Sequence, residues 1–205
     1  MIKPWDLFYN EKLKEIFLEK KEILDIGNGL RLIKEKGNRY DGKREWLREL
    51  VLKTNYKVMD PVGTYKPDIV GDIHKMPFKD DSLDAILCIA VLEHVENPIL
   101  ACQEMYRTLR PGGYLFVYVP FLYYYHAEKG YYGDYWRFSK DTINSIFRKF
   151  SKIEIQSVRG AIETLFRLTP LGRSNFLSSI FYYLDKISGK SKSNQVSGYY
   201  VFLIK

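Results

Sequence analysis

Three segments of this chain that are apolar on both faces carry an aspartate at or near their ends, and that constrains the fold more than any other feature. Residues 22 to 28 hold an Ile-Leu-Asp-Ile run ending in glycine, and Tyr56 to Pro61 and Pro67 to Ile73 repeat the theme around Asp60 and Asp72. Leu83 to Val91 is a fourth such segment. A strand with no polar face must be covered on both sides, and helix-compatible segments lie between these four. The pattern predicts an α/β fold with a mostly parallel sheet and helices on both faces. In such sheets ligands bind beyond the carboxyl ends of the strands, so Asp25, Asp60 and Asp72 mark a candidate site.

The remaining elements follow from helix periodicity and turn chemistry. Leu13, Ile16 and Phe17 share one stripe of a helix over 6–20. After the fourth strand Asn97 caps a helix, Pro98 suits its first position and Pro111-Gly112-Gly113 ends it. A fifth buried strand is predicted from Tyr114 to Phe121. A helix over Ser139 to Phe150 and a strand over Lys152 to Arg159 come next, then a helical insert within about 161–188 and a closing strand from Tyr199 to Ile204. The polar run from Ser188 to Asn194 reads as a loop, so residues 1–205 are expected to form a single domain.

Glycines at 27 and 29, directly after the first strand, allow a tight turn and close approach to a ligand. A dinucleotide fingerprint would need a further glycine where Leu32 stands, which argues against a nicotinamide oxidoreductase. A carboxylate at Asp60 can accept both hydroxyls of a ribose, and Asp72-Ile73 can meet the edge and face of an adenine.

Five stretches in this order resemble the type 11 group of class I S-adenosylmethionine (SAM)-dependent methyltransferases: Ile-Leu-Asp-Ile-Gly-Asn-Gly (23–29), Gly-Asp-Ile-His-Lys-Met-Pro-Phe (71–78), Asp81-Ser-Leu-Asp-Ala-Ile, Val91-Leu-Glu-His-Val and Leu109-Arg-Pro-Gly-Gly. The resemblance covers about 22–160. It also reaches a subgroup in which a strand-five proline, here Pro120, is followed by a histidine, His126, and by Asp134-Tyr-Trp-Arg-Phe. It implies a Rossmann-like methyltransferase fold, a seven-stranded sheet whose last strand is antiparallel, and SAM as cofactor. On that basis Gly27 and Gly29 border the methionine part, Asp60 the ribose, and Asp72 and Ile73 the adenine, with Asp25, Asn28 and Ile89, the last at the end of strand four, also cofactor-binding. The chain departs from the group in two places. Arg31 replaces its third glycine, and Asp25 and Asp60 are 35 positions apart, which implies an enlarged first crossover with a loop over the site around Gly37 to Gly42.

Methyl transfer needs positioning more than a catalytic motif, because the sulfonium already activates the methyl group. A base helps when the acceptor is a hydroxyl or a protonated amine. His126, after strand five, is the candidate, competing with a purely loop-fixing role. Tyr125, Asp134, Tyr135 and Arg137 are candidate substrate residues, although Asp134 and Arg137 are also placed to pair with each other. His94 is weighted toward fixing a loop. Cys88 and Cys102 are read as buried thiols, and no metal-ligand spacing is found.

A formal net charge of +7 favours an anionic partner, but the positive residues are spread along the chain. Strand four runs into Ile89-Ala90-Val91-Leu92, without the Asn/Asp-Pro-Pro-aromatic pattern of exocyclic-amine methylation, so nucleic acid is disfavoured. The expected acceptor offers an O or N nucleophile on a small-molecule, lipid or glycan-precursor framework. A degenerate, cofactor-binding regulatory scaffold is the alternative. Phe176, Leu177, Ile180, Phe181 and Leu184 recur at helical spacing, which raises a substrate lid, a homodimer contact or peripheral membrane contact. No apolar run is long enough to span a bilayer and the first residues lack a secretion-type apolar core, so a cytoplasmic location is expected.

Overall fold

A computed structural model of the chain describes residues 2–32 and 42–205. The expected loop around Gly37 to Gly42 lies outside the described residues except for Gly42. The strands are β1 (Glu22–Ile26), β2 (Asn55–Asp60), β3 (Ile69–Val70), β4 (Leu83–Ile89), β5 (Leu109–Pro120), β6 (Lys152–Val158) and β7 (Gly198–Ile204). The helices are α1 (Pro4–Glu19), the single turn α2 (Arg48–Val51), α3 (Pro98–Thr108), α4 (Lys140–Ile146), α5 (Ala161–Arg167) and α6 (Asn175–Ile187).

The strands form one sheet in the order β3-β2-β1-β4-β5-β7-β6, with β7 antiparallel to both neighbours and the other pairs parallel. Alternation along each strand sends neighbours to opposite faces, so a strand buried on both sides supplies two cores. Ile23, Ala85, Leu87, Phe116 and Phe202 pack with Tyr9, Leu13, Ile16 and Phe17 of α1. Leu24, Ile86, Cys88, Leu115, Val117 and Val201 pack with Ala101, Cys102 and Met105 of α3, with Ile143 of α4 and with Phe147 just after it. The seven-stranded, two-faced fold expected from the sequence is the one observed.

Several boundaries differ from expectation, β5 for instance beginning at Leu109 and not Tyr114, and two differ for clear local reasons. β1 stops at Ile26 because Gly27 and Asn28 take left-handed backbone angles (φ 76° and 50°). The third strand shrinks to two residues because its flanks are used differently. Asp68 accepts the Val58 N–H at 2.7 Å, and Asp72 caps a 3-10 turn by accepting the His74 N–H. The 161–188 insert is two helices rather than one stretch. They join by the stacked rings of Phe166 and Phe181 and by Asp185, which accepts the N–H groups of Ile162 and Glu163 at 2.8 and 2.9 Å and so caps α5. On α6, Phe176, Ile180, Tyr183, Leu184 and Ile187 are exposed. No helix among the described residues is long and apolar enough to cross a membrane.

The chain winds outward from β1 to β3 and then returns to place β4 on the other side of β1. That reversal opens a crevice at the carboxyl ends of β1 and β4, and the site lies there.

Candidate functional site

The crevice is a cavity of about 1260 Å³ whose lining includes Gly27, Gly29, Asp60, Asp72, Ile73 and Ile89. Its floor is the turn after β1. Asp25 anchors that turn: Oδ1 accepts the Gly29 N–H at 2.9 Å, and Oδ2 accepts the Leu30 N–H at 3.0 Å and the Tyr56 hydroxyl at 2.5 Å. Burial pushes the Asp25 carboxyl up to about 6 against the opposing pull of these donors. The turn rests against β4 at contact distance. A Cβ on Gly29 would lie 2.7 Å from Ile89 Cβ, and one on Gly27 2.7 Å from Val91 Cγ2, so only glycine fits at either place. Arg44 donates to the Gly29 carbonyl from the following crossover. Arg31, standing where the family has a glycine, keeps the left-handed backbone a glycine would favour (φ 54°) and lines the cavity.

Asp60 ends β2 with its side chain nearly buried, and its Oδ1 accepts the Val62 N–H at 2.8 Å. Burial raises its pKa, with the Val62 hydrogen bond opposing. A carboxylate so placed retains lone pairs for ribose hydroxyls. Asp72 is held by His74, whose Nδ1 is 2.7 Å away; His74 itself is half-buried. The glycine cradle, the acidic end of β2 and the apolar pair Ile73 and Ile89 together fit an adenosyl cofactor carrying an amino acid tail. Asp25 and Asn28 do not line the cavity. Both are buried behind the turn, Asp25 serving the backbone and the Asn28 amide making no hydrogen bond among the described residues.

The opposite wall comes from the ends of β4 and β5. Glu93 and His94 sit in a 3-10 turn after β4, and the segment from 121 to 139 follows β5. Backbone and side chains tie the two together: Glu93 O accepts the Tyr135 N–H at 2.7 Å, Val95 O accepts Trp136 Nε1–H at 2.9 Å, and His94 Nδ1 lies 2.6 Å from Gly133 O. His126, Tyr125 and Tyr135 line the cavity, the two tyrosines at its exposed lip. Tyr131 stacks on Tyr65 from the β2 side, with centroids 5.4 Å apart, so the aromatic lip reaches across the mouth. Asp134 and Arg137 are not in the lining. Arg137 donates to both oxygens of Asp134 at 2.6 and 2.8 Å, and Asp134 also accepts the His126 N–H. That bidentate pair holds the Asp134 carboxyl well below the usual range and fixes the loop, the second of the two roles open to these residues.

Two features escaped the sequence. Glu93 is 1% exposed, and burial pushes its carboxyl up to about 8. A second cavity of about 630 Å³ shares Tyr118, Tyr123 and Tyr124 with the first and is lined by Arg159, Arg167 and Arg173. Arg159 has a left-handed backbone (φ 67°), and its Nε makes no hydrogen bond among the described residues. Burial, and then Arg159, act against the charge on Arg167.

Residues 48–117 match the type 11 methyltransferase domain. The chain is similar to that domain over about a third of its length. The demethylmenaquinone methyltransferase of Streptomyces avermitilis is 43% identical over 47 residues, 23% of this chain and 20% of that protein. An uncharacterised methyltransferase of Schizosaccharomyces pombe is 39% identical over 46 residues, 22% of this chain and 16% of that protein. The chain thus spans less than a quarter of the length of the curated relatives it matches. Among solved structures, a SAM-dependent methyltransferase from Archaeoglobus fulgidus superposes with a TM-score of 0.58 at 14% identity, covering 99% of this chain and 100% of that one. A SAM-dependent methyltransferase from Thermotoga maritima gives 0.54 at 17% identity, covering 96% and 89%. At such identities the likeness is one of fold.

Proposed function

We propose that this chain transfers a methyl group from SAM to an O or N nucleophile of an anionic small-molecule acceptor. The observation that carries the reading is the convergence on one cavity of the Gly27–Gly29 cradle, Asp60 and the Glu93–His94–His126 wall. The cofactor supplies an electrophilic methyl on a sulfonium. The chain's share is orientation: Asp60 receives the ribose, the cradle the amino acid tail, and Ile73 and Ile89 the adenine. Asp25 acts at one remove, by holding the turn.

The nucleophile is received at the histidine side of the cavity. His126 Nδ1 lies 3.1 Å from Tyr124 O, and a carbonyl only accepts, so Nδ1 bears the proton and Nε2 of the neutral ring keeps a lone pair. The arginine cavity extends the site past Tyr118, Tyr123 and Tyr124, and guanidinium groups there suit a phosphate or carboxylate on the acceptor, including one on a lipid or glycan precursor. Methyl-labelled SAM incubated with matched anionic and neutral acceptors tests this. Transfer to anionic members supports the proposal; transfer only to neutral members contradicts it.

A further inference from the structure

β4 and β5 run parallel with Ile89 opposite Tyr118, so the segments leaving their carboxyl ends begin as neighbours. That brings Glu93, His94 and His126 together, each offering a donor atom, all within 4.8 Å of one another. Glu93 Oε1 and His126 Nε2 are 3.9 Å apart. The Glu93 side chain is 1% exposed, and its Oε2 is buried without a hydrogen-bond partner among the described residues. A buried carboxylate oxygen left unpaired is costly unless a cation completes it, and the nearby guanidinium of Arg137 is engaged by both oxygens of Asp134.

Both histidines have an oxygen acceptor at Nδ1. His94 Nδ1 faces Gly133 O, and His126 Nδ1 faces Tyr124 O with Asp134 Oδ2 at 3.2 Å. A neutral ring that donates from Nδ1 presents the Nε2 lone pair, and carbonyl or carboxylate partners of this kind are what orient metal-bound imidazoles. We propose that Glu93, His94 and His126 hold a divalent transition-metal ion of the zinc class, with its open position toward the cavity. Two imidazoles and one carboxylate favour zinc-like ions over magnesium or calcium, and three protein ligands are what catalytic zinc sites use. With bonds of about 2.0–2.1 Å, tetrahedral donors sit roughly 3.4 Å apart, so small side-chain rotations close the set.

In its catalytic part the proposal rests on the methyltransferase reading; in its binding part it does not. A hydroxyl of the acceptor bound at the open position loses its proton to solvent water. Its oxygen then forms the new bond to the methyl carbon while the carbon–sulfur bond breaks and leaves its electron pair on sulfur. His126 then gives its lone pair to the ion rather than to the proton.

The test uses chelator-stripped protein, checked for folding by circular dichroism. It is titrated with Zn²⁺ by calorimetry and with Co²⁺ by visible absorption, and SAM binding is measured on the same samples. One Co²⁺ per chain with d–d bands of a nitrogen–oxygen site is expected. Glu93→Gln and His126→Asn should each weaken binding by at least about 100-fold, more than loss of an outer-shell partner does. His74→Ala, at the chain's third histidine, should bind as the wild type does. No stoichiometric Co²⁺ in the folded wild type, or equal binding in Glu93→Gln, overturns the proposal and leaves Glu93 a buried neutral acid that fixes the loop. Metal binding without SAM binding would instead keep the site and sink the methyltransferase reading.

Discussion

Replacing Gly29 with alanine adds a single methyl group where the turn after β1 meets β4. That carbon would lie 2.7 Å from Ile89 Cβ and 3.1 Å from the Ile89 carbonyl oxygen. Ordinary carbon contacts are about 3.5–4.0 Å, so one side must yield by roughly 1 Å. Ile89 is fixed by pairing with Tyr118 in the middle of the sheet, so the turn moves and strains the hydrogen bonds that Asp25 makes to Gly29 and Leu30. Overpacking of this kind costs about 1–3 kcal/mol. If the turn relaxes toward the cavity, the same energy appears as about 5- to 150-fold weaker SAM binding. Gly112→Ala is the control: it lies at the amino end of β5, and its φ of 73° makes alanine strained, but nothing stands within 4 Å. It should lower stability by about 1 kcal/mol and leave SAM affinity unchanged. Thermal unfolding and calorimetry on both variants decide the matter. Wild-type affinity and melting in Gly29→Ala would refute the close approach on which the cradle depends.

Asp25 gives a pH test. Its carboxyl sits at about 6 when folded, against 3.8 as the ordinary value, so the native state keeps a proton that the unfolded chain has lost. This contribution to stability is full below about pH 4 and is lost as pH rises to about 6, a change of roughly 3 kcal/mol. Urea unfolding across that window should show the slope in wild type and not in Asp25→Asn; parallel curves would refute the assignment. Arg159→Ala and Arg167→Ala should raise the acceptor KM at least tenfold, the loss expected for one charge-assisted hydrogen bond of about 1.5–3 kcal/mol, with SAM binding unaffected. Steady-state kinetics that vary both substrates would show it, and an unchanged acceptor KM would contradict it. Asp134→Ala removes the buried partner of Arg137 and should destabilise the fold by about 3 kcal/mol, measured by chemical denaturation.

The strand ends were legible because turn chemistry marks them locally. Gly27, Gly29, Asp60 and Ile73 follow directly from where apolar runs stop, and all four line the cavity. What a carboxylate does at such an end depends on which way it points. Asp25 lies within β1 with its side chain turned to the backbone of the next turn, and no one-dimensional pattern separates that from a ligand-facing aspartate. Asp134 and Arg137, three positions apart, are compatible in sequence with substrate contact and with each other, and the pair is formed with bidentate geometry. A glutamate in Leu-Glu-His-Val carries no local sign of burial. Its burial comes from the segment after β5 folding over it, a contact between residues some forty positions apart. Likewise Arg159, Arg167 and Arg173 come from three separate elements that only the packing of the 161–188 insert brings together.

We propose that the crevice at the carboxyl ends of β1 and β4 binds SAM through Asp60. Calorimetric titration with SAM and S-adenosylhomocysteine, with NADH as the control ligand, tests it in the wild type and in Asp60→Ala. Both methionine-derived ligands should bind, NADH should not, and binding should be at least tenfold weaker in the variant, from the loss of hydrogen bonds to a charged acceptor worth about 1.5–3 kcal/mol each. A folded wild type that binds neither ligand, or an Asp60→Ala variant that binds SAM as tightly as wild type does, would contradict it.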